Sequence, residues 1–172
     1  MSSADETFDP KTVLEVLKRH GLEFIVIGAI AAIAQGYPLN TSDVDVTPLK
    51  APWNLERLAA ALRELDAKLR TSTDAVPLPV DAEMLGSADS WTLATSAGPL
   101  DVVFVPAGTS GYADLRRAAL EVDLGVPVLV AFLGDVIRSK EASGRNKDKA
   151  QLPALRQTLE VIRERKARER RS

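Results

Sequence analysis

Asp43-Val44-Asp45 is the stretch of this chain whose residue types and spacing most directly imply chemistry. On a strand, residues i and i+2 point to the same face, so the two carboxylates lie side by side. Neighbouring anions repel unless a cation sits between them or one is protonated. Just upstream, the run Phe24-Ile25-Val26-Ile27 leads into Gly28 and the small residues Ala29 to Ala34. That reads as a buried strand, a glycine turn and a short helix able to pack close to a sheet. The pair is therefore placed to hold Mg²⁺ or Mn²⁺ against a nucleoside triphosphate, and the chemistry it points to is nucleotidyl transfer. A bare Asp-x-Asp also occurs at strand ends and turns as two exposed, inert aspartates. The ordered context is what argues for a metal here.

Asp101 can complete the constellation. It opens the stretch Leu100 to Val105, and if that strand lies beside Asp43 to Thr47, three carboxylates share one face. Such a set can hold one or two Mg²⁺ ions at about 2.0–2.1 Å, with water and phosphate oxygens completing the octahedra. One metal would bind the triphosphate and the other would activate the attacking hydroxyl. Asp101 could also act as general base.

The elements that must position these residues follow from periodicity and punctuation. Asp9 with Pro10 starts a helix whose apolar face is Val13, Leu14, Val16 and Leu17, and Gly21 closes it. Glu23 to Ile27 and Asp43 to Thr47 are strands, the second stopped by Pro48. Leu55, Leu58, Leu62, Leu65 and Leu69 predict an amphipathic helix over Trp53 to Leu69, with Trp53 packed in the core or as a hydrophobic staple. Residues 71 to 90 read as a long loop with room for a short strand. Trp91 to Ser96 and Leu100 to Val105 form a hairpin through Ala97-Gly98-Pro99. A helix is expected over Tyr112 to Leu120, an edge strand over Val126 to Val130, and a helix over Leu133 to Ala142 ending at Gly144. A last helix runs from about Asn146 to Arg168, with Pro153 either kinking it or splitting off its first turn. The order predicts an α+β fold, a mixed sheet with packed helices, in a single domain spanning 1–172.

Composition narrows the function classes. The chain has 172 residues, net charge −2, 45% hydrophobic and 27% charged residues. That is ordinary for a globular domain and gives no global pull toward nucleic acid or membrane. Cysteine is absent, which excludes disulfide and thiolate chemistry and fits a cytoplasmic location. His20, the only histidine, sits near a helix C-terminus, where a cation is mildly favourable, and a zinc site is excluded in practice. Met1-Ser2-Ser3-Ala4-Asp5-Glu6 is no secretory signal, and Phe24 to Ala34 is too short to span a bilayer. No Walker A loop or nucleophile elbow is present. The basic end, about 160–172, is either a solvated helix end or a contact for an RNA backbone or an acidic partner, the interleaved Glu164 and Glu169 favouring the first.

The run Ile27-Gly28-Ala29-Ile30-Ala31-Ala32-Ile33-Ala34-Gln35-Gly36-Tyr37-Pro38-Leu39-Asn40-Thr41-Ser42-Asp43-Val44-Asp45 resembles the nucleotidyltransferase superfamily, in particular minimal bacterial members related to AbiEii-type toxins. The later stretch Ile137 to Asp148, with Lys140 followed by Arg145-Asn146-Lys147-Asp148, looks like the second signature of that group. The resemblance implies a polymerase-beta-like fold, metal at Asp43, Asp45 and Asp101, and nucleotide contacts at Gly28, Ala29, Thr41, Ser42 and Lys140. It implies an NTP substrate, an RNA acceptor such as the 3′ end of tRNA, and an antitoxin protein partner. Read as residues alone, Lys140 is a solvated helix lysine, and Arg145, Lys147 and Asp148 are a solvated helix start. Three positions depart from the pattern. Ala29 replaces a Gly or Ser, Gln35 stands where His is common, and Leu39 where Arg is common. They weaken the nucleotide grip and keep open two other readings. One is a small-molecule, antibiotic-type nucleotidyltransferase with an acidic acceptor surface from Asp74, Asp81, Glu83 and Asp89. The other is a non-catalytic relative that binds nucleotide or a partner.

Overall fold

The computed structural model describes residues 8–172; Met1 to Glu6, read above as no secretory signal, lie outside them. Chain order is α1 Pro10–Arg19, β1 Phe24–Ile27, α2 Gly28–Ala34, β2 Val44–Pro48, α3 Pro52–Glu64, β3 Lys68–Arg70, β4 Ala75–Pro77, α4 Ala82–Gly86, β5 Ser90–Thr95, β6 Gly98–Val103, α5 Tyr112–Arg116, β7 Leu120–Asp123, β8 Pro127–Val130, α6 Leu133–Ser143 and α7 Asn146–Arg171. The strands form one mixed sheet in the order β4-β3-β5-β6-β2-β1-β8-β7. This is the α+β class expected from the sequence. Among the described residues, no helix is long and apolar enough to cross a membrane.

The local rules hold where the signals are strongest. Asp9 caps α1 by accepting from the Thr12 amide at 3.1 Å, and Pro10 occupies its first turn. Val13, Leu14, Val16 and Leu17 are all buried. Burial alternates along β6, so that Leu100 and Val102 are fully buried while Asp101 between them faces the other side. Val44 and Val46 do the same on β2 around Asp45. The core face of the sheet joins α1 and α3 through residues such as Leu14, Leu17, Leu58 and Leu62, each worth roughly 2–3 kcal/mol of apolar burial. The carboxylates occupy the opposite face.

Several expectations need correction. The Trp53 helix stops at Glu64 rather than Leu69, because Asp66 adopts φ +50° and turns the chain into β3. Leu69 then pairs with Val76 on one side and Leu93 on the other. A leucine at helical spacing is thus spent on a strand. Trp53 itself is 45% exposed, lying under the Arg57 guanidinium rather than in the core. The stretch 71 to 90 holds the short strand allowed for it, β4, and also an unexpected helix, α4, capped by Asp81 accepting from the Met84 amide at 2.7 Å. The Tyr112 helix ends at Arg116, and Leu120 begins β7, whose hairpin with β8 turns through Gly125. β7 is therefore the edge, and β8 lies inside it, parallel to β1. Of the two outcomes expected at Pro153, the first turn is not split off: α7 is one element, with Leu152, Leu155 and Leu159 buried on both sides of the proline.

Candidate active site

Three strands in a row set the site. β2 runs parallel to β6 with Asp45 directly opposite Asp101, and antiparallel to β1 with Asp45 opposite Ile27. Asp43, two residues earlier, lies on the same face at the mouth of β2. The structure brings Asp43, Asp45 and Asp101 together, with one carboxylate oxygen from each lying within 4.8 Å of the others. Thr41 Oγ1 donates to Asp43 Oδ1 at 3.0 Å and fixes that carboxylate from the loop. Ser42 is exposed beside it.

Gly28 explains the turn above the triad. Its φ is +64°, and a Cβ at this position would overlap the Asp45 carboxylate. The backbone between β1 and α2 therefore passes against Asp45 as only glycine allows. Ala29 follows in the first turn of α2 without a polar side chain.

The triad is electrostatically unsettled. Burial pushes the Asp45 carboxyl up to about 7, helped by the charges of Asp43 and Asp101 and by a hydrogen bond to Asp101, with Lys140 partly opposing. Burial also raises Asp101, while Arg70 pulls it down. Arg70 Nη2 donates to Asp101 Oδ1 at 2.9 Å and Nη1 to the Leu93 carbonyl at 3.4 Å. Its guanidinium thus reaches from β3 across β5 to β6.

A second cationic group stands on the other flank. Lys140 Nζ lies 3.3 Å from Asp148 Oδ1, and Arg145 Nε donates to Asp148 Oδ2 at 2.8 Å. Ser143 also donates to Asp148. Asp148 is only 1% exposed, so the solvated helix start expected for it is corrected to a buried hub joining α6 to α7. Burial alone would raise this carboxyl, but the bonds from Ser143, Arg145 and Lys140 outweigh it and hold it below the usual range. Lys140 is accordingly an ion-paired, half-buried side chain whose charge acts on Asp45.

Two of the departures have structural accounts. Gln35 Nε2 donates to the carbonyls of Ala31 and Ala131 at 2.8 Å, and its Oε1 accepts from the Leu133 amide at 2.8 Å. It ties α2 to the start of α6 and acts through the scaffold. Leu39 is 51% exposed in the loop before Asp43. Tyr37 of the same loop is buried. A cavity of about 670 Å³ opens between the end of α2 and α7, lined by Gln35, Pro38, Thr158 and Arg165 among others, and it includes none of the triad. The triad lies instead on the sheet face. Sequence reasoning missed Arg70, hidden in a strand read as the end of a helix and the start of a loop. It also missed the linkage at Asp148, for which the Arg145-to-Asp148 spacing was the available signal.

No family model matches the chain, and no curated protein matches its sequence. Solved structures do match. The lincomycin-bound lincosamide antibiotic adenylyltransferase LnuA is 8% identical, with 87% of this chain and 97% of that one aligned at a TM-score of 0.59. ANT(2″)-Ia in complex with adenylyl-2″-tobramycin is 15% identical over 93% of this chain and 95% of that one, TM-score 0.53. A Thermotoga maritima protein proposed to be a nucleotidyltransferase is 15% identical over 92% and 99%, TM-score 0.51. At such identities the likeness is one of fold, and the fold is that of the nucleotidyltransferases.

Proposed function

We propose that this protein is a metal-dependent nucleotidyltransferase that moves a nucleoside monophosphate from an NTP to a hydroxyl acceptor. The observation that carries the reading is the convergence of Asp43, Asp45 and Asp101 across β2 and β6, on a nucleotidyltransferase fold. The donor set fits a hard divalent cation: three carboxylates and no other ligand type, held by neighbouring strands, with Asp45 resisting ionisation because it is buried beside two like charges. Asp43, Asp45 and Asp101 would hold Mg²⁺ or Mn²⁺, which when bound supplies charge neutralisation for phosphoryl oxygens and a lower pKa for the acceptor hydroxyl.

The chain's own residues supply the rest. Lys140 and Arg145, held by Asp148, face the triphosphate. Gly28 and Ala29 offer it backbone amides. Thr41 orients Asp43, and Ser42 lies at the nucleotide side of the same loop. Asp101 takes the proton of the acceptor hydroxyl as its oxygen attacks the α-phosphorus. The bond from that phosphorus to the bridging oxygen breaks, and pyrophosphate leaves with the bonding pair.

For the acceptor, the resemblance supports RNA, with a toxin role, a cognate antitoxin and a cytoplasmic setting. The second reading is a small antibiotic-type alcohol, supported by the fold likeness to the lincosamide and tobramycin enzymes. The test is incubation with Mg²⁺, each α-labelled NTP, and either total tRNA or an aminoglycoside and lincosamide panel, with Asp45→Ala as control. Label in RNA supports the first and label in the small alcohols the second. Mg²⁺-dependent NTP binding without transfer to either class would return the weight to a non-catalytic relative.

A further inference from the structure

Cations stand on opposite flanks of the triad, and only one flank is explained by the donor nucleotide. Along the sheet the order is β3-β5-β6-β2-β1. Lys140 approaches from α6 and Arg145 from the link between α6 and α7, both following β8 beyond β1. Arg70 approaches from β3, across β5. A triphosphate laid against Lys140 and Arg145 has its leaving pyrophosphate on that side. In-line displacement then brings the acceptor hydroxyl from the other side, over Asp101 and Arg70.

Arg70 is a costly neighbour for a metal site, since its charge opposes binding of a cation at Asp101. A guanidinium is also a poor neighbour for an amine-rich acceptor, but its planar fork suits phosphate. One further cation lies on that face, paired with Asp66 at 3.8 Å. Lys68, two residues earlier on β3, shares the face of Arg70, and Thr92 of β5 stands exposed opposite Asp101. The acidic acceptor patch that the sequence offered is partly spent on local turns. Asp74 accepts from the Ala75 amide at 2.8 Å, and Asp81 from the Met84 amide.

The geometry points to Arg70 as a specificity-determining residue that selects an acceptor whose hydroxyl lies close to a phosphate. This rests on the nucleotidyltransferase reading above. In the free protein the guanidinium holds Asp101; with acceptor bound, it shares itself with the acceptor's phosphate and still fixes the carboxylate that receives the proton. A nucleic-acid end and a free nucleotide both offer this chemistry.

Equilibrium binding separates the cases without needing turnover. Wild type, Arg70→Met and Arg70→Lys would be loaded with Mg²⁺ and an α,β-methylene NTP analogue, then titrated with a short oligoribonucleotide, a nucleoside monophosphate, a neutral polyol and an aminoglycoside. Wild type is expected to bind a phosphate-bearing probe in preference to the other two, the oligonucleotide and mononucleotide arms telling the sources apart. Arg70→Met should weaken that binding about tenfold to a hundredfold, the scale of one charge-assisted contact, with Arg70→Lys in between. NTP-analogue affinity should hold, and Mg²⁺ alone should bind Arg70→Met roughly threefold tighter or more, since an opposing charge is gone. A merely structural arginine would give none of this split. Preference for the aminoglycoside or the polyol, or unchanged phosphate binding in Arg70→Met, overturns the assignment while leaving nucleotidyl transfer intact. Failure of wild type to bind the analogue at all sinks the nucleotidyltransferase reading and the Arg70 assignment with it.

Discussion

Asp45 sits where β2 needs a strand residue and its neighbours resist its charge, and a pH dependence follows from that conflict. Its carboxyl is raised from 3.8 to about 7 in the folded protein. Between those values the native state keeps a proton that the unfolded state gives up. Stability contributed by the neutral carboxyl is therefore full below about 3.8, falls as pH rises through the window, and is gone above about 7. In EDTA at pH 8, Asp45→Asn should be more stable than wild type by about 2–4 kcal/mol, and the gap should shrink at pH 5. Urea unfolding midpoints at the two pH values measure this; a less stable Asp45→Asn at pH 8 would contradict the picture of a strained triad. Gly28→Ala tests the same crowding from above. A left-handed alanine whose Cβ overlaps Asp45 should cost about 1–2 kcal/mol and abolish the Mg²⁺-dependent rise in Tm. The triad was legible in the sequence because its signal is local: strand alternation puts positions 43 and 45 on one face. Joining Asp101 to it required strand pairing, which spacing alone does not fix. Arg70 was illegible because Leu62, Leu65 and Leu69 keep helical spacing past the point where Asp66 ends the helix.

At the scale of elements, the α6–α7 junction is where structure and chemistry meet. Lys140 comes from one helix and Arg145 from the link, and buried Asp148 of the other helix holds both. Asp148→Ala should leave the Lys140 charge free to wander, raising the KM for NTP about tenfold and costing about 1–3 kcal/mol of stability. Steady-state kinetics with NTP varied, beside thermal melts, would check both. A KM that moves for acceptor but not for NTP would put the junction on the wrong side of the reaction. The helix α1 and the hairpin of β5 and β6 were readable because cap, glycine and apolar pattern agree there, while α3 was readable as a helix but not at its end. The short elements β3, β4, α4 and β7 were not. Each is a few residues long and depends on partners distant in sequence, as Leu69 depends on Leu93. Pro153 shows the same override, since packing of Leu152 and Leu155 carries α7 through a residue that locally disfavours it.

Across the whole molecule, β2 and β6 carry buried valines and leucines on one face and the triad on the other, and Arg70 and Lys140 are charged groups that act on the triad. Linkage makes this measurable before any acceptor is known. Mg²⁺ should raise the Tm of wild type, more at pH 8 than at pH 6 because binding must displace the Asp45 proton, and should leave Asp45→Ala unmoved. The most direct measurement is transfer itself: purified protein, Mg²⁺, α-labelled NTP and the tRNA and small-alcohol acceptor sets, run beside Asp45→Ala. The account predicts Asp45-dependent appearance of label in an acceptor with release of pyrophosphate. Absence of both transfer and Mg²⁺-dependent NTP binding in the wild-type protein would contradict it.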